Sequence, residues 1–216
     1  GRAWEQLRLA AYMNAEFTIF GFGAGLGLSY LGYTHCSLED VSLVSAIPNT
    51  AIFEPSTPQE ILRALNTRVR NQVKYIRLTG DGPIHKDWFS DEVIKFDGLL
   101  LLRARSTAVR TIITAGHTGS RLAYLERIRD IANIICINRL SEDEILSIPE
   151  AWLEGEIVVV HESYDTMLSN LVESVIGGKY AGGIRAVNPV KEFTKPGDFD
   201  FCSKALGFDL DSLGQV

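Results

Sequence analysis

A histidine lies in a short polar stretch, Tyr33-Thr34-His35-Cys36, that follows a glycine-rich segment ending at Gly27. A histidine ring nitrogen can donate or accept a hydrogen bond, and its ordinary pKa lies close to neutral pH. A loop can carry such a side chain to the surface while packed elements hold it in place. His35 is therefore a candidate for binding a polar substrate, with Thr34 and Tyr33 beside it. The alternatives are that His35 caps a nearby carbonyl, Thr34 shapes the turn and Tyr33 packs inside.

The glycine-rich segment itself, Gly21-Phe22-Gly23-Ala24-Gly25-Leu26-Gly27, follows an apolar strand and therefore invites a dinucleotide-binding interpretation. The G-x-G-x-x-G pattern is absent, because its third glycine would fall on Leu26 or Leu28. No amphipathic helix follows whose N-terminus could bind a pyrophosphate. The sequence excludes a nicotinamide site here and favours glycines that allow close backbone packing.

Three other histidines have weaker claims to a function. His117 follows a predicted strand and precedes a helix, which is where open α/β sheets bind ligands. His161, followed by Glu162, ends another predicted strand and is expected to be structural or to lie at a dimer interface. His85 lies in a predicted linker and is expected to be solvated.

The composition is that of an ordinary soluble globular protein, with 216 residues of which 46% are hydrophobic and 22% charged. The net charge of −6 provides no attraction to nucleic acid or to an anionic membrane. The longest apolar run, Leu99–Leu102, is too short to span a bilayer, and the first residues lack a signal peptide's apolar core. The three cysteines, Cys36, Cys136 and Cys202, lack metal-ligand spacing and predict reduced thiols in a cytoplasmic protein.

The periodicity of apolar residues predicts an α/β fold with two consecutive open sheets. In the first, helices alternate with strands that form a parallel sheet: helix 2–13, strand 17–20, helix 37–47, strand 50–54, helix 58–71 and strand 74–78. Residues 79–96 break that pattern. The second unit has predicted strands at 99–103, 109–114, 134–137, 156–161 and 184–187, with helices at 121–131, 165–176 and 202–206.

The histidine turn, with Glu39-Asp40 and Ser45-Ala46-Ile47-Pro48-Asn49, resembles a run of the transketolase family: Gly-Pro-Thr-His-Gln, Glu-Asp and Arg-Ala-Ile-Pro-Asn. Members of that family are thiamine-diphosphate enzymes that make and break carbon–carbon bonds. Looser similarities extend over nearly the whole chain, at residues 2–8, 74–78, 111–116, 158–162, 195–198 and 205–208. The resemblance implies an N-terminally incomplete, parallel-sheet pyrimidine-binding domain at 1–80, a linker at 81–106 and a smaller transketolase C-terminal-type α/β domain at 107–216.

The resemblance also implies a function, that of a component of a thiamine-diphosphate-dependent carboligase. The enzyme would transfer a two-carbon ketol or acyl unit from a keto donor to an aldehyde or ketone acceptor. His35 would be the catalytic residue and would bind the donor's oxygens and the developing oxyanion. No residue matches the family's activating glutamate, so magnesium and the cofactor's diphosphate would be held outside this segment, by an N-terminal domain or subunit. The family's sites lie between chains, which implies a homodimer or a heterotetramer.

Four positions depart from the sugar transketolases. Leu31 stands in place of an aspartate, Gly23 in place of a histidine, and Ser45 and Glu54 each in place of an arginine. A glutamate at a phosphate site repels a phosphate dianion. We therefore expect a carboligase of specialised metabolism with Glu54 in its substrate site and with an acceptor that is neutral or cationic at that end.

Two alternatives remain open at this point. The departures also fit a non-catalytic homologue that keeps the fold for dimerisation or regulation. The stretch Glu54-Pro55-Ser56-Thr57-Pro58 is similar to the Pro-Ser-Thr-Pro of 2-oxo acid dehydrogenase β subunits. That similarity would make the protein the partner of a lipoyl-bearing chain.

Overall fold

Two β-sheets organise the protein in a computed structural model, which describes residues 3–79, 88, 93–180 and 182–214. The first sheet has the strand order β1-β3-β2 and both of its strand pairs are parallel. Its strands are β1 (Thr18–Phe22), β2 (Thr50–Phe53) and β3 (Val73–Leu78), and its helices are α1 (Trp4–Tyr12), α2 (Asp40–Ser45) and α3 (Pro58–Asn66). The predicted parallel sheet is confirmed.

The central strand and the helix before it show why these residues adopt this structure. All residues of β3 except Leu78 are buried, as expected for a strand with a neighbour on each side. Helix α3 starts with a capping box, in which the Thr57 side chain accepts from the backbone of Glu60 and Glu60 reaches back to Thr57. Pro58 at the first helical turn loses no hydrogen bond. Helix α3 ends at Asn66, five residues earlier than predicted.

The second sheet has the order β4-β5-β7-β6-β8-β9 and is mixed, with parallel strands from β7 to β9 and an antiparallel hairpin at one edge. Its strands are β4 (Val93–Phe96), β5 (Leu99–Leu102), β6 (Arg110–Ala115), β7 (Ala132–Ile137), β8 (Glu156–Val160) and β9 (Ile184–Val187). Its helices are α4 (His117–Tyr124), α5 (Glu126–Ile131), α6 (Glu142–Leu146), α7 (Met167–Ile176) and α8 (Phe199–Ala205). The predicted second α/β unit is confirmed.

Part of the predicted linker belongs to the second sheet. Residues 93–102 form the β4–β5 hairpin, whose two-residue turn has Asp97 and Gly98 at positive φ. The four leucines of β5 are buried, and the strand pairs with β7. The strand predicted at 99–103 is thus present as β5, and the structure adds β4 at Val93–Phe96, within the segment where turn signals had indicated a break in the pattern. Residues 81–87, which include His85, lie outside the described residues.

Two helix predictions also need correction. The helix expected at 121–131 is two helices, α4 and α5, which meet at Leu125 in an extended conformation. Helix α4 begins at His117, directly after Gly116 at φ 64°. Helix α6, which the sequence did not predict, is only five residues long and is capped by Ser141.

The two sheets pack against each other around a common core. One buried cluster contains Ile52 and Tyr75 from the first sheet with Ile113 and Ile135 from the second. Backbone hydrogen bonds join the units: Glu54 N donates to Asn138 O at 2.7 Å, and Gly116 N to Glu54 O at 2.9 Å. Arg77 of β3 and His161, directly after β8, also contact Glu54, so the carboxyl ends of β2, β3, β6 and β8 meet in one region. Among the residues described, we find no helix with the length and apolarity needed to cross a bilayer.

Candidate functional site

The predicted histidine turn lies at the protein surface. Tyr33–His35 form a single turn of 3₁₀ helix after Gly32, which has φ 91° and accepts a hydrogen bond from His35 N at 2.9 Å. The side chains of Tyr33, Thr34 and His35 are all exposed. Three of the four predicted substrate-binding residues are therefore neighbours on one surface.

Contacts within the turn fix the orientation of these side chains. Thr34 Oγ1 lies 3.0 Å from His35 Nδ1, so one ring nitrogen is engaged and Nε2 is directed elsewhere. The hydrogen bond's direction depends on the imidazole tautomer. The Tyr33 ring packs on Phe193 at a centroid distance of 5.1 Å, although 57% of Tyr33 remains exposed. The tyrosine is thus both a packing residue and a surface residue.

The segment after the turn is bonded to two other loops. Ser37 and Gly25 exchange backbone hydrogen bonds of 2.7 and 3.0 Å in an isolated antiparallel bridge. Leu38 O accepts from Tyr164 N and from Ser163 Oγ, each at 2.8 Å. The glycine-rich loop and the loop after β8 therefore both hold the chain next to His35.

A buried group of charges lies beneath this segment, centred on Arg77 at the end of β3. Arg77 is 2% exposed, and its Nη1 lies 2.5 Å from Glu54 Oε1. Its Nε donates to both oxygens of Asp40 at 3.1 and 2.9 Å, while Nη2 donates to Ser37 O at 3.1 Å. Tyr75 Oη donates to Asp40 Oδ2 at 2.8 Å. Each of the three guanidinium nitrogens thereby donates to at least one oxygen.

The pKa values in this group follow from burial and from the paired charges. Burial by itself would raise the pKa of Glu54, but the charge of Arg77 and the contact with His161 outweigh it and lower the pKa to about 2. Burial would lower the pKa of Arg77, and the carboxylates of Glu54 and Asp40 raise it instead. Glu54 and Arg77 therefore form a permanent ion pair at neutral pH.

Glu54, the fourth predicted substrate-binding residue, does not share the exposed surface of His35. Glu54 is 3% exposed, and its Oε2 lies 2.8 Å from His161 Nε2. Both carboxylate oxygens are thus used inside the protein. The assignment of Glu54 to the substrate site, which came from alignment to a ligand-facing arginine, stays a prediction. In the structure, Arg77 on the neighbouring strand β3 pairs with the carboxylate inside the protein.

His161 and Glu162 lie at the end of β8, where the two sheets meet. His161 is fully buried, and its Nδ1 has no partner among the described residues. Glu162 Oε1 accepts from Leu26 N at 2.5 Å, and Oε2 from Thr118 Oγ1 at 3.5 Å. Burial raises the pKa of Glu162. The expectation of a structural role for this pair agrees with these contacts.

The remaining candidates do not form a site of their own. His117 is half-buried at the first position of α4. The three cysteines are free thiols, and burial raises the pKa of Cys36, which disfavours its reactive thiolate. Within the ranges that the structure describes, no cluster of three or more His, Cys, Asp or Glu side chains is arranged to bind a metal ion.

Sequence reasoning missed Arg77, Asp40 and Tyr75 as members of a buried network. The available signal was a charged residue in an apolar strand, since Arg77 stands in Val73-Lys74-Tyr75-Ile76-Arg77-Leu78. A charge at such a position predicts a buried partner, because unpaired buried charges are very unfavourable. The identity of that partner was not available from local sequence.

Comparison with known proteins finds sequence similarity to transketolases. Residues 1–80 match the family model of the transketolase pyrimidine binding domain. The chain is 31% identical over 124 residues to a subunit of apulose-4-phosphate transketolase from Actinobacillus succinogenes, a match that covers 53% of this chain and 40% of that protein. It is 24% identical to human transketolase, over all of this chain and 36% of that protein. The chain thus spans less than half the length of these relatives.

Solved transketolase structures have the same fold. The structure from Campylobacter jejuni matches with a TM-score of 0.66 and 18% identity, over 97% of this chain and 32% of that one. A split-gene transketolase, solved as an inactive β4 tetramer, matches with a TM-score of 0.68 and 20% identity, over 100% of this chain and 71% of that one. Together with the match of residues 1–80, these similarities show that the chain resembles the C-terminal section of transketolases in sequence and shares its fold.

Proposed function

We propose that this chain is a component of a thiamine-diphosphate-dependent, transketolase-like transferase. The assembled enzyme transfers a two-carbon unit from a keto donor to an aldehyde or ketone acceptor. The sequence similarity to transketolases supports the reaction class. The observation that carries the proposal for this chain is the exposed turn Tyr33–His35, whose flanking segment is bonded to two loops.

The described residues do not fit the cofactor's diphosphate and metal ion. Within those residues no cluster of potential metal ligands occurs, and the carboxylates beneath the turn, Asp40, Glu54 and Glu162, are bonded inside the protein. The cofactor's diphosphate and magnesium belong to another part of the assembled enzyme, on an N-terminal domain or on a partner chain.

His35 acts in this proposal as a hydrogen-bond donor to the substrate. Its Nδ1 is held by Thr34, so Nε2 is the nitrogen that faces a ligand. A donor fixed before the reaction stabilises negative charge that develops on a substrate oxygen, because it needs no reorganisation. Thr34 sets the ring's orientation, and Tyr33 forms a wall beside it.

The acceptor is proposed to be neutral or cationic at the end where sugar phosphates bind in other transketolases. Arg77 is the basic side chain that pairs with Glu54, and it is neutralised by Glu54 and Asp40. Ser45, which stands in place of an arginine, uses its hydroxyl to donate to Ser42 O at 3.0 Å. Neither side chain offers a free positive charge to a phosphate.

Assembly from separate chains is supported by two relatives. The apulose-4-phosphate transketolase relative is named as one subunit of its enzyme, and the split-gene transketolase was solved as an inactive β4 tetramer. We propose that this chain likewise acts in a homodimer or heterotetramer that includes the diphosphate-binding part.

The proposal is tested by kinetics of the assembled enzyme with the substitution His35→Ala. Loss of one oxyanion donor lowers kcat by about a hundredfold. A matched control is Arg70→Ala, an exposed residue near the other end of β3, which keeps wild-type kcat. Unchanged kinetics in His35→Ala would contradict the role of His35. A wild-type assembly that binds no thiamine diphosphate would contradict the enzyme proposal and favour a non-catalytic homologue.

A further inference from the structure

We propose that Glu162 is a positioning residue, which anchors the glycine-rich loop and through it holds the His35 turn in place. The inference rests on the proposed function of His35 and adds to it a residue from the second sheet. The packing of the second sheet against the first then helps to shape the substrate surface.

The first step is the contact between Glu162 and the glycine-rich loop. Glu162 is 2% exposed, and its Oε1 accepts a 2.5 Å hydrogen bond from Leu26 N. The loop fits closely against this carboxylate, since a Cβ atom added to Gly25 would overlap Oε1. Gly25 also has φ +65°, which disfavours any residue with a side chain.

The second step leads from the loop to the turn. Gly25 and Ser37 bond to each other in both directions, at 2.7 and 3.0 Å. Ser37 is two residues from His35, so a shift of Gly25 moves the end of the turn. The Leu26 side chain is 1% exposed and lies in the core of the second unit, which fixes the loop on its other side.

The third step is a second connection made by the backbone of Glu162. Arg77 Nη2 donates to Glu162 O at 2.9 Å and to Ser37 O at 3.1 Å. Glu162 is therefore connected to Ser37 in two ways. Its side chain binds the glycine-rich loop, whose Gly25 bonds to Ser37, and its backbone carbonyl accepts from Arg77, which also donates to Ser37. Two independent routes restrain the turn more tightly than either alone.

The anchoring requires an acceptor oxygen rather than a negative charge. Burial raises the pKa of Glu162, although the hydrogen bond from Leu26 and the charges of Arg77 and Arg121 oppose that rise. A glutamine at this position retains an amide oxygen that can accept from Leu26 N. Alanine removes the acceptor and leaves a buried N–H unpaired.

The experiment compares Glu162→Ala and Glu162→Gln in the assembled enzyme. Glu162→Ala is expected to speed hydrogen exchange in residues 25–37, and to lower kcat, each by about tenfold, the effect of losing one buried hydrogen bond. Glu162→Gln is expected to restore both to within about twofold of wild type, since it keeps the acceptor. The control is Glu156→Ala, which removes a partly exposed glutamate at the start of β8 that pairs with Arg185 of β9. It is expected to leave hydrogen exchange and kcat unchanged.

A second variant approaches the same contact from the loop. Gly25→Ala should reproduce the Glu162→Ala pattern, whereas Gly183→Ala has the same unfavourable φ, +71°, with no atom within 4 Å and should not. The double variant should show less than the sum of the two effects, because both break one contact. Unchanged exchange in Glu162→Ala or Gly25→Ala overturns the inference. The hydrogen-exchange measurement tests the role of Glu162 even if the wild-type enzyme is inactive. An inactive wild type would overturn only the proposed function.

Discussion

Arg77 and Glu60 illustrate the two ways in which this protein buries charged side chains. Arg77 lies at hydrogen-bonding distance from Glu54 and Asp40, and because its charge helps to lower the pKa of Glu54 to about 2, Arg77 and Glu54 form a buried ion pair. Glu60 is 4% exposed, and its Oε2 accepts from Ser56 N at 2.7 Å and Thr57 N at 3.1 Å. Its Oε1 has no partner among the described residues. A buried carboxyl without a paired cation favours its protonated form.

The pH dependence of stability should report the burial of Glu60. Burial raises its pKa from 4.5 to about 8, against the opposing hydrogen bond from Ser56. The folded state keeps a proton that the unfolded state loses in this window, so the free energy of unfolding falls as pH rises from about 4.5 to about 8. Glu60→Gln removes this contribution. The decline in the free energy of unfolding over this pH range should therefore be smaller by up to a few kcal/mol, as expected from the size of the Glu60 pKa shift.

Urea unfolding at pH 5 and pH 8.5 measures this effect. Burial also raises the pKa values of Glu162 and Glu144. These two residues contribute to the same fall in the free energy of unfolding, in the wild type and in Glu60→Gln alike. The control Glu126→Gln changes a largely exposed carboxyl and should keep the wild-type decline. Equal declines in wild type and Glu60→Gln would show that Glu60 is not protonated in the folded state.

At the scale of elements, glycines with positive φ fix where strands begin. Gly155, at φ +64°, directly precedes β8, and Glu156 N donates to Val109 O at 3.0 Å. A Cβ atom added to Gly155 would overlap the carbonyl of Val109. This close backbone approach fixes where β8 starts relative to β6. It therefore also fixes the positions of His161 and Glu162, which follow the other end of β8.

Gly155→Ala should therefore destabilise the protein more than its backbone angle alone explains. A positive φ in an alanine costs about 1–2 kcal/mol, and displacing the strand start adds to that. The matched control is Gly207→Ala, which has φ +68° and only an ordinary contact with Val190. Chemical denaturation of both variants makes the comparison. Equal losses of stability would mean that β8 tolerates the displacement.

At the scale of the whole molecule, one hydrophobic cluster runs through both sheets. Ile52 and Val73 of the first sheet and Ile113 and Ile135 of the second belong to it, each at most 4% exposed. Neither sheet can expose its share of this cluster without losing apolar burial of about 25 cal/mol per Å². The two sheets are therefore expected to form one cooperative unit.

Calorimetry of the protein should show a single unfolding transition, with equal calorimetric and van't Hoff enthalpies. Ile52→Ala and Ile135→Ala, one in each sheet, should each reduce the free energy of unfolding by about 2–5 kcal/mol and so lower the Tm of this transition. Leu62→Ala, at a side chain that is 60% exposed, should leave Tm nearly unchanged. Two resolved transitions, with Ile52→Ala shifting only one, would contradict the common core.

The sequence by itself determined the local features of this protein. Apolar periodicity predicted both sheets and the helix that begins at Pro58. The polar stretch around His35 predicted an exposed turn beside a glycine-rich loop. These features are set by residues within a few positions of one another, through side-chain periodicity, caps and glycine conformations, so that a single chain segment contains their cause.

Only the tertiary structure decided which distant groups meet. Arg77 bonds to Asp40, 37 residues away, to Glu54, 23 residues away, and to the carbonyl of Glu162, 85 residues away. These contacts bury Glu54, which the sequence had assigned to a substrate surface, and place Glu162 against the loop that holds His35. They depend on how the two sheets pack, and that packing depends on the burial of a common core rather than on any local pattern.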